Sequence, residues 1–142
     1  MILITGIRGT LGRALHAIYP YAVSTLASNV TLAYLCGGTK GFNECDGNDA
    51  IFRRDVDGNI ALIRALLRIN AFVVFISTEA VERIGHRAAY SSNRLMVEQF
   101  LWTKDNCAII RPKRFDKETA PWLAQYAQTI GENKMTGIHR WL

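Results

Sequence analysis

The chain has 142 residues, 49% of them apolar and 20% charged, and a net charge of +5. That length points to one domain with one core, and no apolar run approaches the roughly 20 residues needed to cross a membrane. The basic residues are spread over Arg53-Arg54, Arg64, Arg68, Arg83, Arg87, Arg111, Lys113 and Arg114 without interleaved aromatics. They read as a solvated surface or an attraction for phosphorylated ligands, with nucleic acid an unlikely partner.

Met1 to Ile4 is an apolar run that stops at Thr5-Gly6. Glycines follow at Gly6, Gly9 and Gly12, and Leu11, Ala14, Leu15 and Ile18 keep helical spacing as far as Pro20. This reads as a buried strand, a tight turn and a helix N-terminus. With no basic stretch before that strand, a signal peptide is not expected. Tyr21–Leu26 is a short strand candidate, and Val30–Cys36 is a second buried one, closed by Gly37-Gly38. Residues 37–49, rich in Gly, Asn and Asp, read as a loop.

From Ala50 to Ile69, the residues Ile51, Val56, Ile60, Ile63, Leu66 and Leu67 share one side of a helix, with arginines on the other. Gly58 weakens its middle unless close packing requires it. Phe72–Ile76 is the clearest strand, β-branched and aromatic throughout, with Ser77-Thr78 after its end. Residues 79–87 are loop or the start of a helix, and Ala88–Trp102 is a long amphipathic helix. Cys107–Ile110 is another strand, ended by Arg111-Pro112. Lys117–Ile130 is a last helix with Pro121 in its first turn and Trp122, Leu123, Tyr126 and Ile130 as its apolar face. The tail from Gly131 holds a short edge strand near Ile138.

The three cysteines, Cys36, Cys45 and Cys107, form no CxxC pair. Scattered thiols of this kind read as reduced and cytoplasmic, no metal site is expected, and Cys36 and Cys107 in apolar runs read as small core residues. Strands alternating with helices imply an α/β class with a parallel sheet covered on both faces. Right-handed crossovers then bring Gly6, Gly37-Gly38 and Ser77-Thr78 to one edge, the edge at which such folds bind ligands.

Two groups of residues at that edge suggest chemistry. The glycine turn lets backbone approach a pyrophosphate at a helix end that supplies N–H groups and partial positive charge, and Arg8 within it is placed to reach a phosphate. Tyr90 and Arg94, four apart, lie on one helix face, where a cation beside a phenol suits it to proton transfer. A hydroxyl from Ser77 or Thr78 at the neighbouring strand end is placed to hold the same substrate oxygen. Taken one at a time, the same residues also fit a half-buried core phenol, a helix N-cap and a surface arginine.

Together these segments resemble the short-chain dehydrogenase/reductase superfamily, in its extended and atypical branch acting on nucleotide sugars. Ile-Thr-Gly-Ile-Arg-Gly-Thr-Leu-Gly (4–12) is similar to the family's cofactor loop, and Leu35-Cys36-Gly37-Gly38 stands at its strand-four Ala-Gly segment. Asp55-Val56-Asp57-Gly58-Asn59 is similar to its Asn-Val-x-Gly-Thr helix. Phe75-Ile76-Ser77-Thr78-Glu79 resembles its strand-five Ile-Ser-Thr segment, Tyr90-Ser91-Ser92-Asn93-Arg94 its Tyr-x-x-x-Lys, and Ile109-Ile110-Arg111-Pro112 its Ile-x-Arg-Pro. The resemblance covers residues 1 to 115, in family order.

The resemblance implies a three-layer Rossmann-like fold with a reduced parallel sheet, as one truncated domain over residues 1–142. Gly6, Gly9, Thr10, Leu11, Gly12 and Gly37 would form the cofactor site, and Arg8 would favour NADP over NAD. Thr78, with Ser77 as runner-up, would orient the substrate oxygen, Tyr90 would be the acid/base, and Arg94 would stand in for the lysine that binds the nicotinamide ribose. The partners implied are a dinucleotide, a small nucleotide-sugar-type substrate and a second copy of the chain, paired through the long helix into a homodimer.

The departures are equally specific. Arginine replaces lysine at residue 94, and Asp55 replaces the family's asparagine and, ionised, donates no amide hydrogen bond. The stretch from Tyr21 to Asn29 is too short for the two strands and helix it replaces, which in the family grip the adenosine ribose and line the adenine. The C-terminal substrate region is nearly absent. Two functions therefore stand side by side: an NAD(P)-dependent oxidoreductase or epimerase using hydride transfer with a tyrosine acid/base, and a non-catalytic nucleotide-binding or protein-interaction module on the same sheet.

Overall fold

Four apolar runs and a mixed, largely exposed edge segment pair into a single parallel sheet of order β1-β2-β3-β4-β5: β1 Ile2–Thr5, β2 Leu32–Leu35, β3 Phe72–Ile76, β4 Cys107–Pro112 and β5 Gly137–Trp141. The computed structural model describes residues 1–38, 42–83 and 89–141. The register sets Leu3 beside Ala33, Val73 and Cys107 on successive strands. Because strand side chains alternate, one set of residues faces each layer. Leu3, Ala33, Leu35, Val73, Phe75 and Ile109 pack with Ile63, Leu66, Val97 and Leu101 of the helices on one side. Ile4, Leu32, Tyr34, Phe72, Val74, Ala108 and Ile110 pack with Leu11, Leu15, Leu123, Ala124 and Ile130 on the other. Over β1 to β4 both faces are covered, which is why those strands are nearly continuously apolar.

The helices are α1 Thr10–Ile18, α2 Phe42–Cys45, α3 Asp49–Phe52, α4 Asn59–Arg68, α5 Ala89–Leu101 and α6 Ala120–Glu132. A π-helical segment, Arg53–Gly58, joins α3 to α4, and a 3₁₀ turn, Glu79–Glu82, follows β3. The helix expected over 50–69 is thus one run with a wider-wound middle, and Asp55 and Val56 are both buried in that middle. Such segments are rare and occur mostly as single-turn bulges inside α-helices, frequently at functional sites. The expected loop over 37–49 contains α2, and its residues 39–41 lie outside the described residues. The same holds for residues 84–88, including the expected helix start at Ala88. Asp116 accepts hydrogen bonds from the Glu118 and Thr119 amides, so residues 117–119 form a side-chain-closed turn before α6 rather than its first turn. The strand near Ile138 is present as β5, parallel to β4.

Tyr21–Leu26 forms no strand. Val23 alone bridges Leu3, exchanging hydrogen bonds of 2.9 Å with Ile2 and Ile4. Too few residues lie between Pro20 and Val30 to extend along β1 and return. That single bridge still decides the topology, because the chain leaves β1 toward one side of the sheet and re-enters at β2 on the other. Right-handed crossovers in opposite directions place their helices on opposite faces, with α1 on one and α4 on the other. The last crossover departs from that rule. β4 to β5 continues in the direction of β2 to β3, yet α6 packs on the face of α1. The uniform right-handedness expected from the sequence fails there, and beyond α5, which packs on β4, no described helix covers β5 on that side.

A tyrosine pair explains where α6 goes. Tyr34 on β2 is fully buried, its ring stacks on Tyr19 at 5.6 Å, and the two hydroxyls lie 3.0 Å apart. Burial pushes the Tyr34 phenol well above its usual range, so it stays neutral. α6 comes close enough only because residue 131 is glycine; a Cβ there would lie 2.4 Å from the Tyr34 oxygen. Gly58, by contrast, has ordinary helical angles, and a Cβ there would meet only the Arg53 carbonyl at 3.5 Å. Gly131→Ala should therefore destabilise the chain by about 1–3 kcal/mol and Gly58→Ala stabilise it by about 0.5–1 kcal/mol. Urea denaturation of the two variants checks both signs.

Candidate functional site

The C-terminal ends of β1 and β2 meet at the topological switch point, the position where open α/β sheets form a ligand crevice. Gly6 leaves β1 with φ +69°, and a Cβ there would lie 2.8 Å from the Gly37 nitrogen. The Gly37 amide donates to Thr5 Oγ1 at 3.1 Å, which fixes the second wall of the crevice against the first. The Gly9 amide donates to the Gly6 carbonyl at 3.0 Å and closes the turn. Gly9 is the N-cap of α1 with no side-chain cap, and Arg13 makes the first helical bond to it at 2.9 Å. At Gly12 a Cβ would sit 1.9 Å from the Gly6 carbonyl oxygen, so only glycine lets α1 start this close to the turn. Thr10 and Leu11 are the first helical residues, and Arg8 projects from the turn as an exposed side chain. Burial pushes the neighbouring Cys36 thiol up to about 12. No thiolate therefore competes with an anion here.

Tyr90 and Arg94 on α5 reach the same edge. The Arg94 guanidinium carbon lies 3.9 Å from the centre of the Tyr90 ring, and Nη1 donates to the Tyr90 carbonyl at 3.4 Å. A Cβ on Gly38 would lie 3.0 Å from Arg94 Nη2, so the guanidinium sits between the phenol ring and the end of β2. Arginine at this position stacks its flat cation on the ring face, a geometry favoured by its planar group. Beneath it lies a small cavity bounded by Gly37, Gly38, Asp55, Asn59, Phe75, Ile76, Asn93 and Arg94. Asp55 there takes a hydrogen bond from Arg54 Nε at 3.1 Å.

Ser77 and Thr78 are both engaged by the fold. Thr78 is the N-cap of the 3₁₀ turn, its Oγ1 accepting from the Ala80 amide at 3.2 Å. Its own hydroxyl proton is left to donate. The Ser77 hydroxyl donates to Glu98, which is wholly buried on α5. Arg111, at the end of β4, holds the same carboxylate through Nε at 3.1 and 3.2 Å and Nη2 at 2.5 Å. Glu98 raises the Arg111 pKa further, first through these hydrogen bonds. Outward, Arg111 lies 3.6 Å from Glu82, and Glu82 takes hydrogen bonds from Arg140 on β5 at 2.7 and 2.9 Å. This ladder of alternating charges ties α5, β3, β4, β5 and the 3₁₀ turn together just below the Tyr90 face.

Glu98 is absent from the site drawn by sequence reasoning. Its signal is an acid among apolar residues eight positions, or two helical turns, after Tyr90. Arg111 reads in sequence as one of the spread surface cations and as part of the Ile-x-Arg-Pro segment, but it is buried, and nothing in a sequence pairs it with Glu98. The structure therefore brings Gly6, Gly9, Gly12 and Gly37 together as one crevice, sets Tyr90 and Arg94 beside its far wall, and directs Ser77 into the interior.

This architecture can be compared with solved structures. A hypothetical dTDP-4-dehydrorhamnose reductase from Sulfolobus tokodaii matches with a TM-score of 0.80 at 18% identity, over 98% of this chain and 75% of that one. A dTDP-4-dehydrorhamnose reductase from Clostridium acetobutylicum matches with a TM-score of 0.81 at 18% identity, over 98% and 72%. This chain has the Rossmann-like fold of the short-chain dehydrogenases/reductases. A short-chain dehydrogenase from Burkholderia cenocepacia, solved in complex with NADP, matches over 99% of this chain and 87% of its own with a TM-score of 0.79 at 10% identity. By sequence, no family model and no curated protein matches. No described helix is long and apolar enough to cross a membrane.

Removing one partner of a buried ion pair strands the other charge, at a cost of about 3–5 kcal/mol. Glu98→Gln should therefore lower the urea-unfolding free energy by about that amount, well beyond the ~1 kcal/mol expected of an exposed pair such as Arg83–Glu79.

Proposed function

We propose that the chain binds the pyrophosphate and nicotinamide portions of NADP or NAD in the crevice between Gly6-Gly12 and Gly37, and acts as a pared-down oxidoreductase. The observation that carries this reading is a pair of close backbone approaches, Gly6 on Gly37 and Gly12 on Gly6, which leave a switch-point crevice beside a side-chain-free helix N-terminus. The fold shared with a short-chain dehydrogenase solved in complex with NADP supports it. Arg8, exposed in the turn, favours the 2′-phosphate of NADP.

In this reading Thr78 donates its hydroxyl proton to the substrate oxygen and Tyr90 passes the proton. The bound dinucleotide supplies hydride. Arg94, packed on the Tyr90 ring, holds the phenol in place and faces the ribose. A nucleotide-sugar-type ketone or alcohol is the substrate class, after the reductases whose fold it shares. A homodimer seated on α5, around its exposed Met96, belongs to the same proposal. The cytoplasm is the compartment that suits three unpaired cysteines.

A second reading, a binding module without chemistry, rests on one feature. Arg94 stacks on the face of the Tyr90 ring and bonds its carbonyl, a different placement from a lysine ammonium reaching past a tyrosine. Calorimetric titration with NADPH and with NADH tests the crevice. Heat of binding is expected with at least NADPH, and no heat from either at millimolar ligand removes cofactor binding from both readings, leaving only a protein-interaction module. In NADPH-linked reduction of a nucleotide-linked keto sugar, Tyr90→Phe should lower kcat by about 100-fold or more. Unchanged turnover would remove the acid/base assignment.

A further inference from the structure

Among the described residues, one buried side-chain donor is left without an acceptor. Asn93 on α5 is 4% exposed, and its Nδ2 is buried with no hydrogen-bond partner. A buried amide in that state loses its hydration with nothing in return. Buried polar atoms are nearly always partnered, by protein or by ordered water. Asn93 also lines the small cavity under Arg94, with Gly37, Gly38, Asp55 and Asn59, and two apolar residues complete the lining. The cavity measures about 10 Å³, close to one water-sized sphere.

Asp55 brings the complementary group. It lies in the π-helical segment, is 6% exposed and, as a carboxylate, only accepts. Arg54 Nε donates to its Oδ1 at 3.1 Å, and a carboxylate accepts in about four directions. Asn59, at the start of α4, donates through Nδ2 to the Asp55 carbonyl at 2.6 Å. Its amide oxygen is a further acceptor on the same wall. A donor from α5 and acceptors from the π-helical segment and α4 therefore line one cavity.

Chemistry chooses the occupant. It must accept from an amide and donate to a carboxylate. A metal cation would meet Arg94 and the N–H groups of Asn93, and an anion would meet Asp55. An apolar group would leave the amide unpartnered. Water both accepts and donates, it fits the volume, and a buried water needs two to four polar partners. We infer that the cavity holds one ordered water, which accepts from Asn93 Nδ2 and donates to the Asp55 carboxylate, joining α5 to the π-helical segment. Arg94 follows Asn93 directly, so the bridge also restrains the part of α5 from which the guanidinium reaches the Tyr90 ring. The bridge forms without a dinucleotide, so its test is separate from that of the crevice.

The test uses the full isotope-labelled chain in solution, with no ligand added. Laboratory-frame and rotating-frame Overhauser transfer from water to the Asn93 side-chain amide should have opposite signs, as for a water held in place. No transfer, or the sign pattern of bulk water, would overturn the proposal. Urea midpoints of variants read the same site. Asn93→Leu, close to asparagine in shape, should lower the midpoint, because the water loses its donor. A raised or unchanged midpoint would show an amide with no partner to lose, and would also overturn it. Asn93→Asp should lower the midpoint by setting a second carboxylate on the cavity. Adding Asp55→Asn to it should restore part of that loss, because donor and acceptor have then exchanged places. A double variant no more stable than Asn93→Asp alone would contradict the bridge. Circular dichroism confirms that each variant is folded, and the water measurement needs no variant.

Discussion

Two stretches of backbone meet at Gly6 and Gly37 with no room for a side chain between them, and much of the molecule can be understood from that contact. It forces β1 into a left-handed turn, and that turn sets the Gly6 carbonyl against the first turn of α1, where Gly12 must again be glycine. α1 is then committed to one face of the sheet. Because the chain returns on the other side of β1, the π-helical segment and α4 are committed to the opposite face. A crevice flanked by backbone follows from the steric requirement itself, before any ligand is considered.

The second constraint is electrostatic. Glu98 and Arg111 are buried charges whose desolvation is offset only by their mutual contacts and by Ser77. A pair of this kind adds little net stability over an apolar substitute, but it tolerates few alternative geometries. It fixes the rotation of α5 about its axis, and so the direction in which Tyr90 and Arg94 point. The outer rungs, Glu82 and Arg140, extend the same restraint to the last strand.

Periodicity made the layers legible from sequence. The strands at Phe72 and Cys107, the helix at α1 and the edge strand near Ile138 all carry local signals of apolar alternation or helical spacing. The glycine turn was legible because close backbone approach demands a particular residue type. Less legible was whatever depends on partners far along the chain. Val23 contributes one bridge in place of a strand because of chain length, a constraint that propensity does not encode. The crossing of α6 depends on Gly131 meeting Tyr34, nearly a hundred positions earlier, and Glu98 depends on Arg111 arriving from another strand. The buried polar residues of α5, Ser91, Asn93 and Glu98, look in sequence like an ordinary solvated stripe.

The account rests on the switch-point crevice being the place where a dinucleotide phosphate sits. The most direct measurement is an NMR titration of the isotope-labelled chain with NADPH, following backbone amides. Shifts concentrated at Gly9, Thr10, Leu11 and Gly37, with Ile138 and Lys104 unmoved, are the predicted result. Shifts confined to other parts of the sheet, or none at saturating NADPH, would contradict it.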